Sequence, residues 1–165
     1  ITKWSLPGLR PQKNKLNWLA DYHKMKLNLE DKVVLVTGSS EGIGFGIASL
    51  LHSHGCNVII NGRSQIKVER ALSVLSGSIG IVGDLRLPSD TKKVVETAFQ
   101  KFGRIDGLVC NVGSGRSSPP GDEHYEEWQR VFETNLWSAT NAVEASRELL
   151  VESKGAIVCI SSICG

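Results

Sequence analysis

The chain lacks any apolar run approaching the roughly 20 residues that a membrane-spanning helix requires, so it offers no candidate span of that kind. It has almost no surplus of either charge. Against 17 Asp and Glu stand 19 Lys and Arg, a formal net charge of +2, which gives no reason to expect a nucleic-acid partner. No internal repeat or low-complexity tract is present, which excludes solenoids and arrays. The four cysteines, Cys56, Cys110, Cys159 and Cys164, lack the paired spacing of a metal site, so no metal is expected. Cys110 and Cys159 fall in apolar segments that read as buried strands, where a thiol behaves as a small hydrophobe. All four therefore read as reduced and structural, in a reducing compartment such as the cytoplasm. The chain opens on Ile1 rather than methionine, so the absence of a leader-like run at its head excludes no targeting.

What is present is ordinary globular composition, with 165 residues, 41% hydrophobic and 22% charged. That length buries a core without staples. Residues 1–30 stand apart as a basic N-terminal arm. Lys3, Arg10, Lys13, Lys15, Lys24 and Lys26 are opposed only by Asp21 before Glu30, and Pro7, Gly8 and Pro11 break any early helix. Asn14–Leu27 can form a short helix carrying Leu16, Trp18, Leu19 and Tyr22. The plainer reading of the arm is packing under a sheet, and the other is a basic contact surface for a partner chain.

From residue 31 onward, apolar β-branched runs alternate with helix-periodic stretches. Lys32–Thr37, Asn57–Asn61, Ile79–Val82, Leu108–Val112 and Ala156–Ile160 read as strands. Ile43–His54, Gln65–Leu75 and Asp90–Phe102 read as helices, as does a long segment from Glu123 to Glu152. Val68, Leu72 and Leu75 share one helix side, and Ser89 is the expected cap of a helix that turns Val94, Val95, Ala98 and Phe99 to the sheet. Ser114–Gly121 is a loop by composition. Such alternation predicts an α/β, Rossmann-type doubly wound parallel sheet. Right-handed crossovers give the strand order 3-2-1-4-5, truncated after the fifth strand. An apolar fifth strand would leave a bare edge, which natural sheets blunt, so further native chain or a partner is expected to cover it.

The stretch Lys32–Gly46 organises the rest. A buried strand runs into Gly38, Gly42 and Gly44, and a helix follows. Gly38 supplies a tight turn, Gly42 a backbone that an anion can approach, and Gly44 close packing of helix on strand. A helix N-terminus presents unpaired amides and the positive end of a dipole, which suits a pyrophosphate. In a doubly wound sheet, ligands lie beyond the carboxyl ends of the strands, so the polar residues there are the candidates. The second strand ends Asn61-Gly62-Arg63-Ser64. Gly62 stands where an acid would bind ribose hydroxyls, and the Arg63 guanidinium can pair with a 2′-phosphate, favouring NADP(H) over NAD(H). The plain alternative for Arg63 is a solvated helix-start residue. Glu41, within the glycine turn, is a mild objection, since many NADP-binding proteins that this turn resembles carry a basic residue there.

The spacing Thr-Gly-x-x-x-Gly-x-Gly resembles that of the short-chain dehydrogenase/reductase family, and the resemblance runs over Asp31–Gly165 through five motifs in order. It implies that Gly38, Ser39, Ser40, Gly42, Ile43 and Gly44 hold the pyrophosphate. It implies that Asp84, after the third strand, reaches the adenine amino group. Cys110-Asn111-Val112-Gly113 looks like the family's Asn-Asn-Ala-Gly motif, with Asn111 stabilising the sheet and Gly113 lying along the cofactor. Asn135, in Thr134-Asn135-Leu136, matches the Asn that holds a water of the proton relay. Ser162, with Ser161 as fallback, matches the active-site Ser whose hydroxyl orients the substrate oxygen. The family's Tyr-x-x-x-Lys pair follows that Ser by roughly a dozen residues and supplies the general acid/base. No such pair stands between Ser162 and Gly165, and Tyr22-x-x-x-Lys26 mimics it at the wrong place in chain order.

Two functions follow as expectations. One is an NADP(H)-dependent oxidoreductase that interconverts a small-molecule carbonyl and an alcohol by hydride transfer, with residues 31–165 as an incomplete NAD(P)-binding domain. The other is a non-catalytic nucleotide-binding or assembly subunit. The resemblance also implies a homo-oligomer through the helix Glu123–Glu152, to which Phe132, Leu136 and Trp137 give surplus apolar surface.

Overall fold

The computed structural model describes residues 27–162 apart from 117 and 120. The basic arm up to residue 26, its short helix, the Tyr22/Lys26 pair and Cys164 lie outside the described residues.

Strand β1 (Val33–Val36) is buried along its whole length and sits at the centre of a five-stranded parallel sheet. It pairs on one side with β2 (Asn57–Gly62) and on the other with β4 (Gly107–Cys110). Strand β3 (Ile79–Val82) flanks β2 and β5 (Ala156–Cys159) flanks β4, giving the expected order β3-β2-β1-β4-β5. The order reverses between β1 and β4, which opens a crevice at their carboxyl ends.

Side chains of successive strand residues point to opposite faces, and both faces are covered. Val33, Leu35, Ile59, Leu108 and Cys110 pack against Val94, Val95 and Ala98 of α3 (Pro88–Phe102) and Ala142 and Leu150 of α5 (Ser138–Ser153). Val34, Val36, Val58, Ile60 and Val109 pack against Ala48 of α1 (Gly42–Ser53) and Val68 and Ala71 of α2 (Gln65–Leu72). Each such Val, Leu or Ile removed from water contributes about 1.5–3 kcal/mol before chain entropy is charged against it. At the lower edge, Asp106 accepts bonds from the Val33 amide, Lys32 Nζ and Arg104, which ties the start of β1 to that of β4.

Five local expectations are corrected. Helix α3 starts at Pro88 with Leu87 as its N-cap, so Ser89 lies inside the first turn and caps nothing. Proline at the first helical position has its φ already set and no amide to satisfy. Phe99 is 40% exposed, because Thr91, Val94, Val95 and Ala98 already fill the sheet-facing stripe. The long helix is three pieces: α4 (Tyr125–Phe132), a π turn (Glu133–Trp137) and α5. Helix α2 stops at Leu72, although Leu75 is still buried beyond it. Cys159 is exposed rather than buried, since β5 is the sheet edge and exposed at every residue.

Candidate functional site

A cavity of about 790 Å³ opens at the carboxyl edge of the sheet, over the β1/β4 switch point. Gly38, Ser40, Ile43, Arg63, Asp84, Asn111 and Gly113 line it, which gathers seven of the residues expected from sequence into one place. Ser39, Gly42, Gly44, Asn135 and Ser162 are not among its lining.

The turn from β1 into α1 is held by hydrogen bonds from both neighbouring strands. Asn61, 1% exposed at the end of β2, accepts the Gly38 amide at Oδ1 and donates from Nδ2 to the Ile81 and Gly83 carbonyls. Ser39 is fully buried. Its hydroxyl donates to the Val36 carbonyl at 2.6 Å and accepts the Asn61 amide, and its own amide donates to the Asn61 carbonyl. Ser39 thus offers the cavity no donor, and its work is to shape the turn. From the other side, Thr37 Oγ1 accepts the amides of Asn111 and Val112, and Asn111 Nδ2 donates to the carbonyls of Thr37 and Gly38.

This turn is closed on its inner side and open on its outer side. A Cβ at Gly44 would lie 2.4 Å from Asn111 Nδ2 and 2.5 Å from the Gly38 carbonyl oxygen, so only glycine lets α1 approach this closely. A Cβ at Gly42 would meet nothing within 4 Å, and φ is +63°, in the left-handed region that favours glycine. Glu41 is the N-cap of α1, in extended conformation, and its side chain makes no cap bond. The first-turn amides of α1 therefore have neither an intrahelical partner nor a side-chain cap, which fits a phosphate. The residues present suit the diphosphate of a dinucleotide.

Cations outnumber acids around the cavity: Arg63, Lys67, Arg86, Arg116 and Arg130 stand against Glu41 and Asp84. Arg86 grips Asp84 through Nε and Nη2, at 3.0 Å and 2.6 Å, and Arg63 stands 3.9 Å from the same carboxylate. The bond from Arg86 is the largest influence on the Asp84 carboxyl. Against the opposing pull of burial, it holds that group below the usual carboxylate range, with the charges of Arg86 and Arg63 adding to it. An adenine amino group would have to share an acceptor that Arg86 already uses. At the other end, Arg130 is paired with Glu127 and donates to the Arg116 carbonyl.

At Gly62, a Cβ would come within 2.7 Å of Ser40 Oγ. Ser40, from across the turn, thus packs against the bare backbone at position 62. Asn135 sits in the π turn, a local widening often found at functional sites. Its Oδ1 accepts the Ser114 amide at 2.7 Å and its Nδ2 donates to the Ser114 carbonyl, which fixes the loop after β4. Ser162 lies past the end of β5, exposed.

Sequence reasoning passed over Thr37, Asn61, Lys67 and Arg86. Thr37 and Asn61 carried a signal: each is a polar residue ending an apolar run at the carboxyl edge of the sheet. Lys67 and Arg86 carried none, because a surface cation on a helix or in a loop has no pattern of its own.

A doubly wound parallel sheet with a glycine turn and an open cavity at its switch point defines a Rossmann-type nucleotide-binding protein. Residues 32–165 match the family described as short chain dehydrogenase. The chain belongs to the short-chain dehydrogenase/reductase family. It is 41% identical over 143 residues to the 3-oxoacyl-[acyl-carrier-protein] reductase FabG of Chlamydia muridarum, covering 83% of this chain and 58% of that protein. To the uncharacterized oxidoreductase MW2403 of Staphylococcus aureus it is 32% identical over 140 residues, covering 83% of this chain and 61% of the relative. A short-chain dehydrogenase/reductase of unknown function from Caenorhabditis elegans, solved with cofactor, superposes with a TM-score of 0.77 at 31% identity. That match covers 82% of this chain and 54% of the other. The chain thus spans between half and two-thirds of the length of the proteins it matches.

Proposed function

We propose that this chain is the nucleotide-binding part of an NADP(H)-dependent oxidoreductase that interconverts a small-molecule carbonyl and an alcohol, with NADP(H) preferred to NAD(H). One observation carries the coenzyme choice. Beside the end of β2, position 62 is a glycine whose Cβ would press on Ser40 Oγ at 2.7 Å, so no acid stands there, and the next residue is Arg63, 70% exposed at its side chain and only loosely drawn to Asp84. A guanidinium in that place attracts a 2′-phosphate, and nothing at position 62 repels one.

The remaining roles are assigned on the same reading. Gly38, Ser40, Gly42, Ile43 and Gly44 form the diphosphate turn, with Ser39 as its internal brace. Asn111 and Gly113 make the cofactor floor. Asp84 borders the adenine side while anchoring Arg86. Bound NADPH supplies the hydride. Ser162 donates to the substrate oxygen and orients it. Asn135 fixes the Ser114 loop, and its carboxamide keeps one further donor and one acceptor for a relay water. The relatives' names, among them a 3-oxoacyl reductase, agree with a carbonyl as the reacting group. Residues 31–165 act as one domain, preceded by the basic arm. Tyr125, Trp128, Phe132, Leu136 and Trp137 form an exposed apolar run on α4 and the π turn, which suits pairing with a second copy through the segment 123–152. No helix among the described residues is long and apolar enough to cross a membrane.

Titration calorimetry with NADPH and with NADH tests the reading. A charge-assisted contact to phosphate contributes about 1.5–3 kcal/mol, so NADPH binds at least about tenfold tighter than NADH. Arg63→Gln removes most of that difference. Equal affinity for the two coenzymes, or none for either, overturns the proposal.

A further inference from the structure

The glycine turn carries an acid, Glu41, next to the place assigned to a dianionic phosphate, and the structure shows what offsets it. Lys67, in the first turn of α2, places Nζ 2.6 Å from Oε1 of Glu41, the N-cap of α1. Both residues line the cavity, together with Ser40, Arg63 and Ser64. Their side chains are half-exposed or more, 50% for Lys67 and 66% for Glu41, so the pair does little for fold stability. Its place in the lining of the cavity is what gives it significance.

A lysine ammonium has three donors on a flexible stem. Held by Glu41 through one of them, Lys67 retains two for a third group entering between the glycine turn and α2. Arg63 stands just before the N-cap of the same helix, and both cations line the cavity together with Glu41. We infer that Lys67 is the second cation of the 2′-phosphate site, and that Glu41 attenuates it, setting how strongly the chain discriminates the phosphorylated coenzyme from the unphosphorylated one. The inference rests on the NADP(H) reading and deepens it by naming two residues which that reading does not require.

The two partners act in opposite directions. Lys67→Gln removes a ligand of the phosphate and also leaves the Glu41 carboxylate uncompensated beside it. Glu41→Gln frees Lys67 from its counter-charge. NADH lacks the 2′-phosphate and meets these charges only through its diphosphate, so its affinity responds far less than that of NADPH. Arg63→Gln serves as the reference variant and Lys67→Arg as the conservative one.

The experiment is calorimetric titration of the chain and these variants with NADPH and with NADH, with a thermal melt of each variant. The expected results are a loss of about tenfold or more in NADPH affinity for Lys67→Gln, a gain of roughly twofold to fivefold for Glu41→Gln, and retention by Lys67→Arg. NADH affinity stays within twofold throughout. Raising salt weakens NADPH binding more in the parent chain than in Lys67→Gln. If the parent chain prefers NADPH and Arg63→Gln abolishes that preference while Lys67→Gln matches the parent, this inference falls and the coenzyme reading stands. If the parent chain shows no preference, both fall. A parallel loss of NADPH and NADH affinity in Lys67→Gln would assign Lys67 to the turn itself and overturn the phosphate role.

Discussion

Asn111 and Thr37 are bonded to each other twice: the Asn111 amide donates to Thr37 Oγ1 at 2.8 Å, and Asn111 Nδ2 donates to the Thr37 carbonyl at 3.1 Å. The same Nδ2 reaches the Gly38 carbonyl at 3.2 Å, so one carboxamide joins the end of β4 to the first residue of the glycine turn. Asn111→Ala leaves two carbonyls of that turn without this donor. The expected cost is about 1–3 kcal/mol in urea unfolding, together with weaker NADPH binding. A variant with the parent's unfolding midpoint and the parent's affinity would show that the turn holds its shape without Asn111.

The fold was legible because both sheet faces are covered. Val33–Val36 and Val58–Ile60 are apolar at every residue, and only a parallel sheet clad by helices on both sides buries such runs. The glycine turn was legible because its residues are neighbours in sequence. Ser39 shows the limit of that reading: motif position marks it for the anion side, yet its hydroxyl turns inward to Val36 and Asn61. Asn61 braces the turn from 23 positions away and Lys67 pairs with Glu41 from 26 away, contacts that no local pattern encodes. Cys159 was misplaced because an apolar strand sequence reads the same at the centre of a sheet and at its edge.

Gly44 and Gly42 separate close packing from backbone strain. Gly44→Ala drives a methyl into Asn111 Nδ2 and the Gly38 carbonyl, so α1 has to move away from the β1 turn. The expected cost is about 1–3 kcal/mol, with loss of dinucleotide affinity. Gly42→Ala meets open space and carries only the left-handed backbone penalty of about 1–2 kcal/mol. Unfolding midpoints and NADPH titrations of both variants check this. If Gly42→Ala retains affinity and Gly44→Ala does not, close packing is the stricter requirement of the turn.

Asp84 predicts how stability depends on acid. Its folded-state pKa lies below its unfolded value, chiefly through the bond from Arg86. The ionised carboxylate therefore contributes stability that is fully present above the unfolded value of about 3.9 and is lost as pH falls through the folded value. Asp106 shifts in the same direction. Burial is its largest influence and opposes the shift, but bonds from Arg104, the Val33 amide and Lys32 outweigh it. Acid titration of the parent alone therefore mixes the two groups. Asp84→Asn isolates one of them, so its unfolding free energy falls less steeply between pH 5 and 3 than the parent's, as about two pH units of urea melts would show. Identical slopes would mean that the Arg86 contact is not maintained in solution.

The thiols of Cys110 and Cys159 are register neighbours on β4 and β5, but their reactivity differs. Burial, followed by the adjacent Cys159, pushes the Cys110 thiol up to about 12, so it is not ionised near neutrality. Cys159 is exposed. Because the thiolate is the nucleophile, a maleimide labels Cys159 in the folded chain and reaches Cys110 only on unfolding. Mass mapping of labelled peptides with and without urea checks this, and rapid native labelling of Cys110 would show that β4 is not covered as described.

Binding and turnover are expected to separate in this chain. The residues proposed to meet a dinucleotide fall between Gly38 and Gly113, from the glycine turn to the floor after β4. The proton that a carbonyl acquires on becoming an alcohol needs a donor, and in the resembled family that donor is a Tyr assisted by a Lys. After Ser162 this sequence has only Ile163, Cys164 and Gly165. A serine hydroxyl, with its far higher pKa, can orient the substrate oxygen but cannot replace an activated phenol as general acid. The 165 residues are therefore expected to bind NADPH and to show no NADPH oxidation at 340 nm with a panel of ketones and aldehydes. The same chain extended by a helix bearing Tyr-x-x-x-Lys is expected to turn over. Measurable turnover by the 165 residues alone would place the proton donor within the described site and require a new assignment of the catalytic residues.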